Sequence, residues 1–259
     1  MIHYVQLVIY SLFVILAYLG MIRAEKRGEQ PIRKIPAIEA IEEGIKRSVE
    51  LGRPVVASFG SLTMALRMFY IAQGFAVVGY IAKVCGEVNA RLVFASIDPA
   101  VLAPMEDVIK SNYAAAGGDA QNAEVRYIAS TSHSFTSAML EFLDKERPGA
   151  AFLFCTTNPE VAAVGETGAR IGAFQVMGAS VQNQVANMIA VSDYVLIGEE
   201  FTVAGAYLSK NVGQLGTIVG QDWGKAFVMG MIVLGGILAQ FGITWLYNII
   251  FYGYSGVTA

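Results

Sequence analysis

The sequence predicts an α/β protein: a Rossmann-like, mainly parallel sheet of five or six strands, flanked by an N-terminal and a C-terminal transmembrane helix. Residues 4–22 and 226–250 carry no charge, and each run is long enough to cross a hydrocarbon core of about 30 Å. Between these runs, short apolar strand-like segments alternate with helical segments of ten or more residues, the pattern of βαβ units. Hydrophobic residues make up 55% of the chain and charged residues 15%, which excludes a disordered polypeptide.

The composition also excludes several functional classes. A net charge of −3 argues against a nucleic-acid partner. Two cysteines and two histidines are too few for a disulfide framework or for a four-ligand zinc site without carboxylates. We therefore expect no metal and no cofactor.

The charge distribution predicts four segments: a transmembrane helix (1–22), a basic juxtamembrane linker (23–35), an α/β domain (36–222), and a second transmembrane helix with a short tail (223–259). Basic residues adjoin the inner ends of both apolar runs; they are Arg23, Lys26, Arg27, Arg33, Lys34 and Lys225. The positive-inside rule then predicts a two-pass protein of the inner membrane, with the central domain in the cytoplasm and both termini outside. In that compartment Cys85 and Cys155 remain reduced and are interpreted as small core residues.

The first half of the central domain alternates regularly. An amphipathic helix ends before Gly52 and Pro54, and another ends at Pro148 and Gly149. The predicted helices cover residues 38–51, 62–88, 99–116 and 134–146, and the predicted strands cover 54–58, 91–95, 125–129 and 150–154.

The pattern is less regular after residue 154. Strands are predicted at 173–177 and 194–197, with a helix around 181–190 between them and a last helix at 201–219. Residues 148–222 hold only eight charged groups. This shortage indicates that part of the surface is buried against another subunit, or else that the segment is a well-covered core with Gly, Ser and Asn turns.

The loops after the strands contain the first candidates for chemistry. Ser58, Ser61 and Asp98 follow predicted strands and precede helices, as do His133 and the pair Glu199 and Glu200. In an open parallel sheet, ligands bind at the carboxyl ends of the strands, where helix N-termini attract anions or phosphate. The same residue types are ordinary helix caps. The sequence contains no G-x-G-x-x-G or P-loop motif, so a standard dinucleotide site is unsupported.

Glu166 and Arg170 are four residues apart in a stretch with few charges. On a helix they would form an i,i+4 pair on the surface, or both would face a cavity or an interface. His133 would serve as a general base only with an orienting carboxylate. Glu199 and Glu200 match acidic residues in the first turn of a helix, or contact a ligand.

Several motifs in the second half resemble a known family. They are Glu166-Thr167-Gly168, Arg170–Gln175, Asp193-Tyr194, Leu196–Glu200, Ala204–Leu208 and Gly220–Trp223. The chain resembles an uncharacterised prokaryotic two-span membrane-protein family, known only as a domain of unknown function, most clearly over residues 160–223. The resemblance implies that Glu166, Arg170 and Gln175 belong to the family pattern, and it implies no activity.

The two apolar runs contain packing signals of their own. The spacings Ala226/Gly230 and Gly235/Ala239 place small residues four apart, which lets helices approach closely. Gln240, Thr244 and Asn248 form one polar stripe on a helix, and Gln6 is a candidate partner at similar depth. This stripe faces protein rather than lipid, or lines a pore built by several subunits.

These observations favour a homo-oligomeric inner-membrane scaffold or interaction protein with cytoplasmic α/β domains side by side. Its expected partners are the lipid bilayer and further copies of the chain. One alternative is a membrane-bound enzyme or small-ligand binder, for an anion or nucleotide, that uses the strand-end loops. A third is a channel or transporter subunit. No catalytic residue is assigned.

Overall fold

The computed structural model describes residues 4–27, 34–61, 64–154, 158–179, 182–209 and 212–242. The chain divides into two units. The first combines Met1–Ile32 with Lys210–Ala259, and the second is Arg33–Ser209. In their described parts, the first unit is helical and the second contains the α/β fold.

Strands and helices alternate through the second unit. The helices are α1 (Tyr4–Arg27), α2 (Pro36–Glu50), α3 (Met64–Glu87), α4 (Pro99–Ala115), α5 (Ser132–Glu146), α6 (Asn158–Arg170), α7 (Gln182–Val191), α8 (Glu199–Ser209) and α9 (Val212–Gln240). The strands are β1 (Val55–Ser58), β2 (Leu92–Ser96), β3 (Ala123–Tyr127), β4 (Ala150–Phe154), β5 (Phe174–Ala179) and β6 (Tyr194–Ile197). Helices α1 and α9 belong to the first unit.

The six strands form one sheet, and every pairing is parallel. Their order is β3-β2-β1-β4-β5-β6, the order of a doubly wound Rossmann fold. Val55 of β1 lies opposite Leu92 of β2 on one side and Ala150 of β4 on the other. Strands β1, β2, β4 and β5 are fully buried, because a sheet covered on both faces excludes water. The predicted parallel α/β sheet is confirmed.

Two apolar clusters, one on each face of the sheet, form the core. One cluster joins the sheet to α2, α3, α4 and α8 through residues that include Ile41, Val78, Ile109 and Ala204. The other joins it to α5, α6 and α7 through residues that include Met139, Val164 and Met188. Cys85 belongs to the first cluster, and burial raises the pKa of its thiol. It is a core residue, as predicted, whereas Cys155 lies outside the described residues.

The second half of the chain differs from the prediction in two places. Residues 158–170, left without an element in the prediction, form helix α6, whose Val161 and Val164 are buried. Over the predicted helix at 201–219 the structure has two elements, α8 ending at Ser209 and α9 beginning at Val212. Few charged residues mark a solvent face in either region, so the helical period is weak in the sequence.

In the first unit, α1 packs against α9 through glycines. A Cβ on Gly20 would lie 2.4 Å from the carbonyl oxygen of Gly216, and one on Gly220 would lie 2.5 Å from that of Leu16. Among the described residues, one helix, Leu215–Gln240, is long and apolar enough to cross a membrane; an 18-residue window within it has a mean hydropathy of 1.4, and only 6% of that window is buried. Of the two transmembrane helices predicted, only the C-terminal one therefore has this support.

Candidate functional site

The strand order places the switch point of the sheet, at which a crevice is expected, at the carboxyl ends of β1 and β4. Strand β1 leads to α3 on one face, and β4 leads to α6 on the other. Ligands of open α/β sheets bind where the connections diverge in this way. Residues 58–61 follow β1 at this point; residues 155–157, which follow β4, lie outside the described part of the chain.

Buried hydroxyls end β1 and β2. The Ser58 Oγ donates to the carbonyl oxygen of Ala95 at 2.7 Å and accepts from the amide of Gly60 at 3.0 Å. Gly60 has a φ of +68°, a left-handed conformation that glycine adopts without strain. The Ser96 Oγ accepts from the amide of Asp98 at 3.2 Å. These hydroxyls satisfy the backbone where the chain leaves the sheet.

Asp98 caps helix α4. Its Oδ1 accepts from the amide of Ala100 at 3.0 Å, and Pro99 occupies the first helical position. Asp98 is buried, and a capped helix end neutralises part of the cost of burying a carboxylate. Its geometry matches the capping interpretation.

The loop before α5 approaches the loop after β1. Thr131 and Ser134 form a capping box, and the Ser132 Oγ donates to the carbonyl oxygen of Ser61 at 3.3 Å. Ser61 is buried, whereas His133 is exposed in the first turn of α5. A general base needs an orienting carboxylate, and the ion pairs within the described ranges do not include His133.

Glu166 and Arg170 lie toward the amino ends of the strands, away from Ser58 and Ser61. Helix α6 runs away from the carboxyl edge and ends at Arg170, shortly before β5 begins at Phe174. The Arg170 Nη2 donates to both carboxylate oxygens of Asp144, at 2.8 and 3.0 Å, in an exposed ion pair. Glu166 is also exposed. The structure therefore does not bring either residue into the crevice with Ser58 and Ser61.

Gln175, near the amino end of β5, connects this strand to two helices. Its side chain is 1% exposed, and Nε2 donates to the carbonyl oxygens of Gly165 at 2.9 Å and Val191 at 3.0 Å. Gly168 is required beside it, because a Cβ there would lie 2.3 Å from Gln175 Oε1. Gln175 therefore joins β5 to α6 and α7, which is a structural role.

Glu199 and Glu200 lie in the first turn of α8, as the capping interpretation expects. The chain enters this helix through Gly198, whose φ is +56° and whose amide donates to the carbonyl oxygen of Ala179 at 2.9 Å. These acidic residues complement the positive end of the helix dipole.

An ion-pair network that the sequence analysis missed covers one face of β3. Arg91 donates to Glu124 at 3.0 Å and to Glu146 at 2.9 Å, and Arg126 donates to Glu146 at 2.7 Å and also pairs with Glu124. The guanidinium of Arg126 lies 5.7 Å from the ring centre of Phe142. These residues come from separate segments, so no local pattern could have indicated the network.

The network shifts the pKa of each carboxyl group. Partial burial opposes ionisation of Glu124, but hydrogen bonds from Arg126 and Arg91 hold the pKa of this carboxyl below its ordinary value of 4.5. The hydrogen bond from Arg126 is the main reason that the pKa of Glu146 is also lowered. Both groups are therefore ionised at neutral pH.

The structure describes the side chains of some of the predicted transmembrane packing residues and not of others. Gly230, Ala239 and Gln240 are exposed on α9, and Gly235 is half-buried. A Cβ on Gly230 would meet no atom within 4 Å. Gln6 lies within α1, but its side chain is not among those described, and Thr244 and Asn248 lie outside the described residues.

No group of three His, Cys, Asp or Glu side chains in the described part of the chain could hold a metal ion.

A family model described as "Domain of unknown function (DUF6754)" matches residues 1–250. No curated protein matches the chain. The expectation of a family without an assigned function is confirmed, over a longer segment than residues 160–223.

Proposed function

The chain belongs to the DUF6754 family, whose description names no activity, and we propose that it is a membrane-anchored, homo-oligomeric scaffold that presents an α/β domain in the cytoplasm. The observation that carries this proposal is the exposed apolar surface of α9. Met229, Ile232 and Phe241 are exposed by 61%, 68% and 77%. Water is a poor solvent for such a continuous apolar helix, whereas lipid tails cover it at no comparable cost.

The contact between α1 and α9 supports a two-pass anchor. Tyr10 and Val14 of α1 are exposed as well, so both helices of the pair present apolar side chains outward. The close approach at Gly20 and Gly216 is the geometry in which small residues let membrane helices associate. A pair of helices in the membrane would return the chain to the side from which it entered.

The basic residues next to the two apolar runs support an orientation for this pair. The guanidinium of Arg23 lies 5.6 Å from the ring centre of Trp223, so the residues that border the uncharged stretches of α1 and α9 lie at one level. An arginine stacked on tryptophan suits the headgroup region. With Arg23 and Lys225 on the cytoplasmic side, the α/β domain is cytoplasmic and both termini lie outside.

The exposed small residues of α9 support the homo-oligomer. Cβ atoms on Gly230 and Gly236 would meet open space, whereas those on Gly216, Gly220 and Gly224 would collide with α1. The amide of Gln240 is also exposed, and lipid would leave it without a hydrogen-bond partner. A second copy of α9 would cover the small residues and the amide together.

The test is native mass spectrometry of the full chain, released gently from purified membranes. We expect the protein to remain in the membrane pellet after alkaline carbonate washing and to be released as one homo-oligomer. Recovery in the soluble fraction would overturn the anchor. A monomer in mild detergent at working concentration would overturn the homo-oligomer.

A second candidate, a binder of an anion or nucleotide, has one observation in its favour. The hydrogen bond from Ser132 to Ser61 draws the N-terminus of α5 to the loop after β1, at the crevice where such folds bind ligands. Of Glu166, Arg170 and His133, only His133 lies at the carboxyl ends of the strands. A stoichiometric small mass on each subunit in the same spectra would favour this candidate.

A further inference from the structure

The two edges of the sheet differ in charge. Strand β3 forms one edge and carries Glu124 and Arg126, both held in the ion-pair network. Strand β6 forms the other edge, and its four residues, Tyr194–Ile197, carry no charge. Charged side chains are a common way of preventing an edge from pairing with another strand. Edge β3 has this protection, and β6 does not.

Apolar side chains are exposed on both faces of the β6 edge. Tyr194 packs its ring 5.9 Å from that of Phe174 on the face covered by α2, yet remains 37% exposed. Val195 belongs to the apolar cluster on the opposite face, where the alternation of a strand also places Ile197, which is 44% exposed. Ile189 of α7, the helix packed on β6, is 57% exposed. An added strand would lie between apolar side chains on either face.

We propose that β6 of one subunit pairs antiparallel with β6 of a second copy of this chain, about a two-fold axis normal to the sheet. The inference rests on the proposed function, because it assigns an interface to the homo-oligomer. The pairing would join two six-stranded sheets into one continuous sheet through hydrogen bonds between the two edge strands.

The chemistry of the edge favours a second copy as the occupant. A two-fold axis places the uncharged strand against itself, and the apolar residues Tyr194 and Ile197 of the two subunits line the same junction. Asp193, which precedes β6, is bound within its own subunit, since its Oδ2 accepts from the amide of Gln175 at 2.7 Å. Pairing of β6 with the β3 edge of another copy would instead place the ion-paired Glu124 and Arg126 against an apolar strand.

Membrane anchoring supplies the concentration that so short a strand needs. Four residues form only a few interstrand hydrogen bonds, each with a net value of about 0.5–1.5 kcal/mol. Anchoring two copies in one membrane makes their encounter effectively intramolecular and raises their local concentration. The interface is therefore expected to be stable between chains anchored in one membrane.

The experiment introduces single cysteines into the full chain, in a Cys155→Ser background, and treats native membranes with a short bis-maleimide. We expect Tyr194→Cys and Ile197→Cys to give a cross-linked species of twice the subunit mass. The matched control is Tyr127→Cys on the β3 edge, which is also exposed and is expected to give none. Equal cross-linking at residue 127 would indicate random collisions and overturn the proposal.

A charge placed on the edge separates this inference from the proposed function. Adding Ile197→Lys to the Tyr194→Cys variant is expected to abolish the cross-link, whereas adding Tyr127→Lys is expected to preserve it. If cross-links at 194 and 197 are absent while native spectra still show an oligomer in the membrane fraction, the β6 interface is wrong and the scaffold stands. If the chain is a monomer, both fail.

Discussion

The backbone amide of Gln175 donates a 2.7 Å hydrogen bond to the carboxylate of Asp193, eighteen residues later in the chain. This bond joins the start of β5 to the residue that precedes β6. The side chain of Gln175 donates hydrogen bonds to α6, which precedes β5, and to α7, which follows it. Gln175 and Asp193 therefore join β5 to α6, to α7 and to the start of β6.

Asp193→Ala is expected to lower the free energy of unfolding by about 1–3 kcal/mol, because the amide of Gln175 loses a charged acceptor. The measurement is thermal unfolding of the full chain in mild detergent, followed by circular dichroism. Asp144→Ala is the matched control: it removes a carboxylate from an exposed ion pair and should cost at most about 1 kcal/mol. Equal losses of unfolding free energy in the two variants would contradict a stabilising role for the hydrogen bond between Gln175 and Asp193.

Gln175→Leu is expected to cost about 2–5 kcal/mol, since the carbonyl groups of Gly165 and Val191 both lose their donor in a buried place. Gln121→Leu, at an exposed position, serves as the control and should change stability by less than about 0.5 kcal/mol. The same unfolding measurement applies. A Gln175→Leu variant as stable as the unsubstituted chain would show that the side chain does not hold these helices.

Gly220→Leu and Gly236→Leu form a matched pair on one helix. The first side chain would collide with Leu16 and Ala17 of α1, whereas the second would enter open space. We expect Gly220→Leu to destabilise the helix pair by about 1–3 kcal/mol or more, through overpacking. Gly236→Leu should leave the thermal stability of the subunit unchanged and shift the oligomer distribution in native spectra. The reverse order of effects would contradict the α1–α9 contact.

Acidification is expected to weaken the β3 network. The pKa values of Glu124 and Glu146 are lower in the folded chain than the ordinary value of 4.5, so their contribution is fully present above about pH 4.5 and is lost as the pH falls through the folded values. Unfolding measured from pH 7 to pH 3 should therefore show a smaller acid-dependent loss for Glu124→Gln/Glu146→Gln. An unchanged pH profile in that variant would show that other groups cause the loss.

Glu166→Gln and His133→Ala are expected to leave stability within about 0.5 kcal/mol of the unsubstituted chain, because both side chains are exposed. Under the scaffold proposal, the oligomer in native spectra should also be unchanged. Loss of a co-purified small mass in His133→Ala alone would instead support ligand binding at the carboxyl edge.

The sheet could be predicted because buried parallel strands appear in a sequence as short apolar runs. Val55–Ser58, Leu92–Ser96 and Ala150–Phe154 all show this signal and all form strands. Their order could not be predicted, since it depends on which distant segments pair. The capping role of Asp98 was one of two readings that its residue type allowed, and the geometry of α4 matches it.

The arrangement of the site residues was less accessible to sequence reasoning. Residues 158–170 were not predicted to form a helix. The sequence therefore did not show that Arg170 lies near the amino ends of the strands, whereas Ser61 lies near their carboxyl ends. The pairing of Arg170 with Asp144 and the network around Glu146 both join segments that are distant in sequence. Only long-range contacts determine such partners.

The contact between Gly20 and Gly216 has a consequence for biosynthesis. Nearly two hundred residues separate these glycines, so a ribosome adding about 5–20 residues per second would need roughly 10–40 s after making α1 before α9 emerges. During that interval the glycine face of α1 has no α9 to pack against, although the α/β domain can already fold. Under the proposed two-pass anchor, lipid or another protein would cover this face of α1 until the last helix arrives.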